Sequence, residues 1–186
     1  MTVYIYTFYK FHNIFIVPKT KILSLNIKSC TFIPIPWQLI LTNDGSFTQI
    51  VNYLDNKSVK LRMLQKYNQT SKQIHRNLRC IWLENSIYTK LIFARSIWLF
   101  KYIDKTDYNI KGNQPIGNSL INSQIDIYKN IHEIYYGYSQ EFENKFNQKY
   151  PLWGRKYTLY YKNKSYITIQ EYFSPQIINL FISKSN

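Results

Sequence analysis

Apolar and polar residues alternate along much of the chain with the two-residue period of half-buried strands. Val59, Leu61 and Met63 share one face of a segment spanning 59–64, and Leu78 to Leu83 forms a second such run. Lys90 to Phe100 reads as a third strand, long and apolar. Lys156 to Tyr161 and Tyr166 to Phe173 are joined by Lys162, Asn163, Lys164 and Ser165, the spacing and turn chemistry of a hairpin. Elsewhere the period changes. Ile125, Tyr128, Ile131, Tyr135, Tyr138 and Phe142 recur every three or four residues, which predicts the longest helix over 125–146, bent or weakened at Gly137. Ser46 and Gln49 fit a capping box ahead of a helix over 47–54, with Phe47, Ile50, Val51 and Leu54 on one face.

Between these elements, 66–77 is polar and reads as loop, and 111–115 is a loop ahead of a short helix over 116–121. Pro34 and Pro36 interrupt regular structure. Residues 1–32 read as an N-terminal extension of unassigned role with some β-prone content, and 33–182 as one domain. Strands outnumber helices and most connections are short. The expected fold is therefore α+β: a single largely antiparallel β-sheet of about six strands, with helices packed on one face.

Strand phase places three charges among apolar residues. Glu171 is in phase with Ile167, Ile169 and Phe173, Arg79 with Ile81 and Leu83, and Arg95 with Leu91, Phe93, Ile97 and Leu99. A buried charge needs a partner, because leaving it unpaired costs several kcal/mol, on the order of 3–5. Three explanations remain open: an internal Arg–Glu pair, a bulge that reverses the register, or a site where arginine holds an anionic ligand and the carboxylate takes a hydroxyl or a proton.

Composition adjusts this picture. Ile, Lys, Asn, Tyr and Phe make up half of the 186 residues, and the one alanine is Ala94. This is the signature of an A/T-biased gene. The formal charge of +14 would ordinarily raise nucleic-acid binding. Here 19 of the 24 basic residues are lysines, which the same bias inflates, and Arg62, Arg76, Arg79, Arg95 and Arg155 are the only arginines. A positive field serves an anionic small molecule equally well. A basic nucleic-acid- or ribosome-associated protein stays as an alternative, and nucleic acid is not the expected partner. The basic-aromatic stretch 149–157 reads better as a turn entering a strand, with Trp153 in the core and Gly154 supplying an unusual backbone conformation.

Several chemistries lack their motif. No P-loop, G-x-G-x-x-G, H-E-x-x-H, C-x-x-C or G-x-S-x-G is present, and His12, His75 and His132 are scattered. No metal and no cofactor is expected, and His132 reads as a surface or satisfied histidine. Cys30 and Cys80, without a secretory signal, suggest a reducing compartment. The uncharged stretch 29–43 is too short and too proline-broken to span a bilayer.

Four blocks in order resemble chorismate pyruvate-lyase: Trp37 to Thr48, Leu78 to Leu83, Gln114 to Gly117, and Leu152 to Arg155 followed by Gln170 to Pro175. The likeness is greatest to the type 2 branch, which includes plastid-encoded proteins of red algae, and it runs from about 33 to 181. It implies conversion of chorismate to 4-hydroxybenzoate and pyruvate without metal or cofactor, on an antiparallel sheet with helices against it. By this resemblance Arg79 matches a carboxylate-binding arginine and Glu171 a pocket glutamate that holds the phenolic oxygen. Phe47 and Ile116 stand where the better-known branch has a pocket methionine and leucine, and Arg95 matches an arginine on a neighbouring strand. Arg95 or Arg155 would neutralise the second carboxylate of chorismate. The chain is expected to be a soluble monomer, and the A/T bias together with the resemblance places it in the plastid stroma, where its product would feed quinone synthesis. A non-catalytic domain of the same fold that binds a small aromatic acid is the main alternative.

Overall fold

The computed structural model describes residues 11–22, 32–55, 59–70, 74–85, 89–101, 127–161 and 165–182. The helix read over 116–121, the loop before it and the site position Ile116 lie outside these residues. One sheet organises the rest. Its strands are β1 (His12–Pro18), β2 (Lys60–Thr70), β3 (Ile74–Glu84), β4 (Lys90–Lys101), β5 (Tyr128–Tyr138), β6 (Leu152–Tyr161) and β7 (Ser165–Phe173), in the spatial order β1-β5-β6-β7-β4-β3-β2. All six pairings are antiparallel. The helices are α1 (Lys19–Ile22), α2 (Ile35–Thr42), α3 (Phe47–Asp55) and α4 (Gln140–Phe146), followed by a 3-10 turn (Pro175–Ile178) that leads into α5 (Asn179–Ile182).

The α+β antiparallel architecture matches the expectation, and so do the β6–β7 hairpin strands and helix α3. Three readings of individual segments are corrected. The helix expected over 125–146 is strand β5 followed by the short α4. The cause is a register shift between Ile131 and Glu133. Before it, odd positions (Lys129, Ile131) face one side of the sheet. After it, even positions (Ile134, Tyr136) do. The resulting step of three from Ile131 to Ile134 imitates helical spacing, although Tyr- and Ile-rich sequence suits a strand. Within the polar segment 66–77, residues 66–70 and 74–77 are strand rather than loop, being the outer ends of β2 and β3. Pro34 and Pro36 do not end structure but open α2, where proline's missing N–H goes unused in the first turn. The β-prone part of the N-terminal extension forms β1, which pairs with β5.

Helices cover both sides of this seven-stranded sheet, not the single face of about six strands that was expected, because α4 packs on the reverse side. On one side α2, α3 and the 3-10 turn lay Trp37, Ile40, Leu41, Phe47, Val51 and Ile177 against Ile81, Ile92, Trp153 and Phe173. On the reverse side α4 lays Phe142 and Phe146 against Trp82, Phe93, Leu152 and Tyr172. Burying each of these two phenylalanines contributes about 1.5–3 kcal/mol. Asn147 ends α4 in the left-handed region (φ 55°), its N–H bonding to the Glu143 carbonyl. Cys80 is buried and free, and Cys30 lies outside the described residues.

Gly154 is not in an unusual backbone conformation, since no described glycine has positive φ. It is required because the Tyr135 ring lies directly against it, and a Cβ would also sit 2.6 Å from the Glu171 carbonyl oxygen. Gly154→Ala is expected to destabilise the protein by about 2–3 kcal/mol through overpacking and to lower Tm by about 5–10 °C. A thermal melt checks this, and an unchanged Tm would show that Tyr135 yields freely.

Candidate active site

Two successive rows of side chains cross the α2/α3-covered face of the sheet. The first runs Ile81, Ala94, Glu171, Arg155 from β3 through β4 and β7 to β6, and the second runs Arg79, Ser96, Ile169, Tyr157. Arg79 and Glu171 thus stand diagonally about two small residues, roughly 10 Å apart across the strands. Ala94 and Ser96 carry the smallest side chains on this face, and both are buried.

Glu171 is paired, and its partner is Arg155. Arg155 Nε donates to Glu171 Oε2 at 2.7 Å, and the Tyr157 hydroxyl donates to Oε1 at 3.0 Å. Of the three explanations for the buried charges, the internal Arg–Glu pair is the one realised for Glu171. Arg155 Nη1 also donates to the carbonyls of Ile40, Leu41 and Asn43, at 2.9, 3.3 and 3.1 Å. These are orphan carbonyls at the C-terminus of α2, a helix with no basic residue in its own last turn. Burial pulls the Arg155 guanidinium down, and the Glu171 carboxylate more than offsets this, so its pKa ends above the ordinary value. Burial, followed by the negative charge of Glu171, pushes the Tyr157 phenol well above its usual range. Tyr157 therefore acts here as a neutral donor.

Arg79 is buried on the same face, and desolvation lowers its pKa to about 10. It stays protonated at neutral pH. Phe47 stands near this group, its ring centre 5.8 Å from the Arg155 guanidinium carbon, and Phe173 lies at 5.6 Å. The Ser46 half of the expected Ser46–Gln49 capping box is not made. The Ser46 carbonyl accepts from Gln49 and Ile50, whereas its hydroxyl is buried without a hydrogen-bond partner among the described residues.

Arg95 is not brought to this site. It lies opposite Cys80 and Gln170, whose neighbours Trp82, Phe93 and Tyr172 belong to the reverse side. There its charge partly offsets the burial that raises the Cys80 thiol to about 11. Phase within β4 alone could not tell which of two buried faces Arg95 occupies. His132 is half-buried and bonds through Nε2 to Thr158 Oγ1 at 2.7 Å, a satisfied histidine.

Besides Tyr157, the sequence reading missed two residues of β5. Tyr135 reaches from the reverse side across Gly154, and its hydroxyl lies 3.0 Å from the carbonyls of both Arg155 and Glu171. It locks together the backbone that carries the ion pair. Lys129, half-buried at the near end of β5, donates to the Asn43 carbonyl at 2.7 Å and sits 4.3 Å above the Tyr157 ring. Burial and then the like charge of Arg155 lower its pKa to about 7, against smaller opposing effects of Glu171 and Asp44. Both were hidden because β5 was read as a helix.

A family model described as chorismate pyruvate-lyase Rv2949c-like matches residues 41–181. The chain belongs to this family. The uncharacterized protein ycf21 of Antithamnion sp. is 44% identical over 154 residues, 83% of this chain and 86% of that protein. The ycf21 protein of Porphyra purpurea is 41% identical over 150 residues, 79% and 85% of the two chains. Among solved structures, the effector domain of PhnF from Mycobacterium smegmatis superposes with a TM-score of 0.51 at 7% identity, covering 73% of this chain and 92% of that one. At that identity the likeness is one of fold. Among the described residues no helix is long and apolar enough to cross a membrane, and no cluster of His, Cys, Asp and Glu is able to hold a metal ion.

Arg155→Met would leave Glu171 buried with only Tyr157. A loss of about 3–5 kcal/mol is expected in urea unfolding. The double variant Arg155→Met/Glu171→Gln should recover part of that loss, because it removes the uncompensated charge. A double variant no more stable than the single would show that the guanidinium acts mainly through the α2 carbonyls.

Lys129 has the opposite pH sense from a stabilising ion pair. Its folded pKa, about 7, lies below the unfolded value of about 10.4. The unfolded chain therefore binds more protons between these limits. Wild type should gain stability relative to Lys129→Met as pH rises from about 7 to about 10. Chemical unfolding at a series of pH values checks the sign.

Proposed function

We propose that the protein is a chorismate pyruvate-lyase, converting chorismate to 4-hydroxybenzoate and pyruvate. The observation that carries this reading is the placement of buried Arg79 and Glu171 about the small side chains Ala94 and Ser96 on one covered face of the sheet. That arrangement suits a flat ring acid. The ring lies over Ala94 and Ser96, and Arg79 takes the ring carboxylate as a charge-assisted pair. Glu171, already oriented by Arg155 and Tyr157, accepts from the ring hydroxyl. Family membership supports the same substrate.

The elimination balances without an added reactant. The ring C–O bond to the enolpyruvyl group breaks, and the ring loses the proton from the hydroxyl-bearing carbon and becomes aromatic. The departing enolpyruvate takes up a proton at its methylene and leaves as pyruvate. Aromatisation supplies the driving force, so orientation and charge stabilisation are the protein's contribution. In this reading the site needs no metal or organic cofactor. The ycf21 relatives support a plastid setting, where a soluble monomer in the stroma would provide 4-hydroxybenzoate for quinone synthesis.

Purified protein supplied with chorismate is expected to form 4-hydroxybenzoate and pyruvate in equal amounts. Arg79→Met and Glu171→Gln, checked for folding by circular dichroism, should each lower kcat/KM about a hundredfold or more, on the order of 2.7 kcal/mol of transition-state stabilisation. Ala94→Phe should abolish binding by filling the ring position. Tight binding of 4-hydroxybenzoate without turnover would instead make the protein a binding domain of this fold. Wild-type turnover in both charge variants would refute the assignment of Arg79 and Glu171.

A further inference from the structure

Four polar groups belong to the α2–α3 loop and to the strands β5 and β6 on which it rests, and none is accounted for by the roles given to Arg79 and Glu171. Lys129 Nζ reaches the Asn43 carbonyl, the same oxygen that Arg155 Nη1 approaches. Among the described residues, Lys129 makes no ion pair. Arg155 Nη2, Asn43 Oδ1 and Ser46 Oγ are each buried with no hydrogen-bond partner among those residues. Buried polar atoms are nearly always satisfied in native proteins, and exceptions on neighbouring elements call for a partner. The charged and titratable groups facing Lys129 are Arg155 on β6, Glu171 on β7 and Asp44 in the loop, together with the Tyr157 ring on β6. Glu171 is already held by Arg155 and Tyr157, and Asp44 is exposed.

We propose that Lys129, Arg155 Nη2, Ser46 and Asn43 form a second anion subsite that takes a carboxylate, making Lys129 a specificity residue for ligands with two separated negative groups. The chemistry of the four groups matches a carboxylate. An ammonium, a guanidinium N–H and a hydroxyl donate to its two oxygens, and the Asn43 amide donates once its nitrogen is turned inward. The subsite lies on β5 and β6, and Arg79 lies on β3, three to four strand spacings away, or about 14–19 Å between backbones, so one ligand meets a cation at each end where the long Arg79 and Lys129 side chains both reach toward it. Arg95 is on the reverse side and the Arg155 Nε and Nη1 groups are occupied, so Lys129 supplies the added charge. This inference rests on the proposed lyase reading for the identity of the ligand, in which the second carboxylate is that of the enolpyruvyl group. It also accounts for product release, since the ring product keeps a single carboxylate and loses its hold on this end.

Lys129 is poised to report its own use. With its pKa near 7, it is partly neutral just above neutral pH, and an arriving anion draws a proton onto it. The test is isothermal titration at pH 7.5, in buffers of differing ionisation enthalpy, of wild type, Lys129→Met and Lys129→Arg. Isophthalate serves as an inert ring dianion, 4-hydroxybenzoate as a ring monoanion, and chorismate as the third ligand. Wild type is expected to take up protons on binding isophthalate. Lys129→Met should bind it 10- to 100-fold more weakly without proton uptake, while 4-hydroxybenzoate affinity changes less than twofold. Lys129→Arg should keep dianion affinity and lose its decline toward high pH. Equal weakening of both ligands in Lys129→Met would overturn the proposal in favour of a structural role, as would no change in either. Binding of isophthalate with this Lys129 dependence, but not of chorismate, would uphold the subsite and sink the lyase reading. Failure of wild type to bind any of the three would overturn both.

Discussion

The buried pair between Arg155 and Glu171 is the interaction on which the rest of this structure depends. Neither charge would be tolerated alone at this depth. Together they join β6 to β7 at the centre of the sheet, and the remaining reach of Arg155 extends to three carbonyls at the end of α2. One guanidinium therefore offsets a carboxylate and closes a helix terminus at the same time. The helix that covers the site is held by the residue that orients its carboxylate. Placement of α2 and preorganisation of Glu171 are one constraint.

That constraint extends to both sides of the sheet. Tyr135 bonds from the reverse side to the carbonyls of Arg155 and Glu171, and Gly154 makes room for its ring. The register shift in β5 allows this. It turns Tyr135 toward the α4 side while keeping Lys129 on the opposite side with Tyr157. A continuous two-residue alternation would have put Lys129 and Tyr135 on the same face. An irregularity of one residue thus gives β5 a structural hydroxyl on one side and an ammonium on the other.

The fold is shared with a bacterial effector domain at 7% identity, so the sheet and its helices do not by themselves decide a chemistry. The distinguishing content lies in a few charges on one face. Arg79 and Glu171 stand about the one alanine of the chain and a serine, and the Lys129 ammonium lies over the Tyr157 ring. Small residues in the middle of a sheet otherwise built of Ile, Phe, Trp and Tyr are a packing loss unless something else lies over them.

Much of this was legible in the sequence. The strands of the β6–β7 hairpin, helix α3, and the inward direction of Arg79 and Glu171 follow from local periodicity, which depends only on side chains projecting two or three to four residues apart. The family likeness followed from short blocks at fixed order. Partner identity was not legible. Glu171 pairs with Arg155 because β6 and β7 align them, and Arg95 faces away because this sheet is buried on both sides. A one-dimensional pattern reports burial but not which of two faces is buried. Nor does it reveal a bulge, which left β5, Tyr135 and Lys129 hidden behind apparent helical spacing. Local sequence determined which segments extend and which charges turn inward. Only the tertiary structure decided which charges meet, since that depends on strand order and register between segments far apart in the chain.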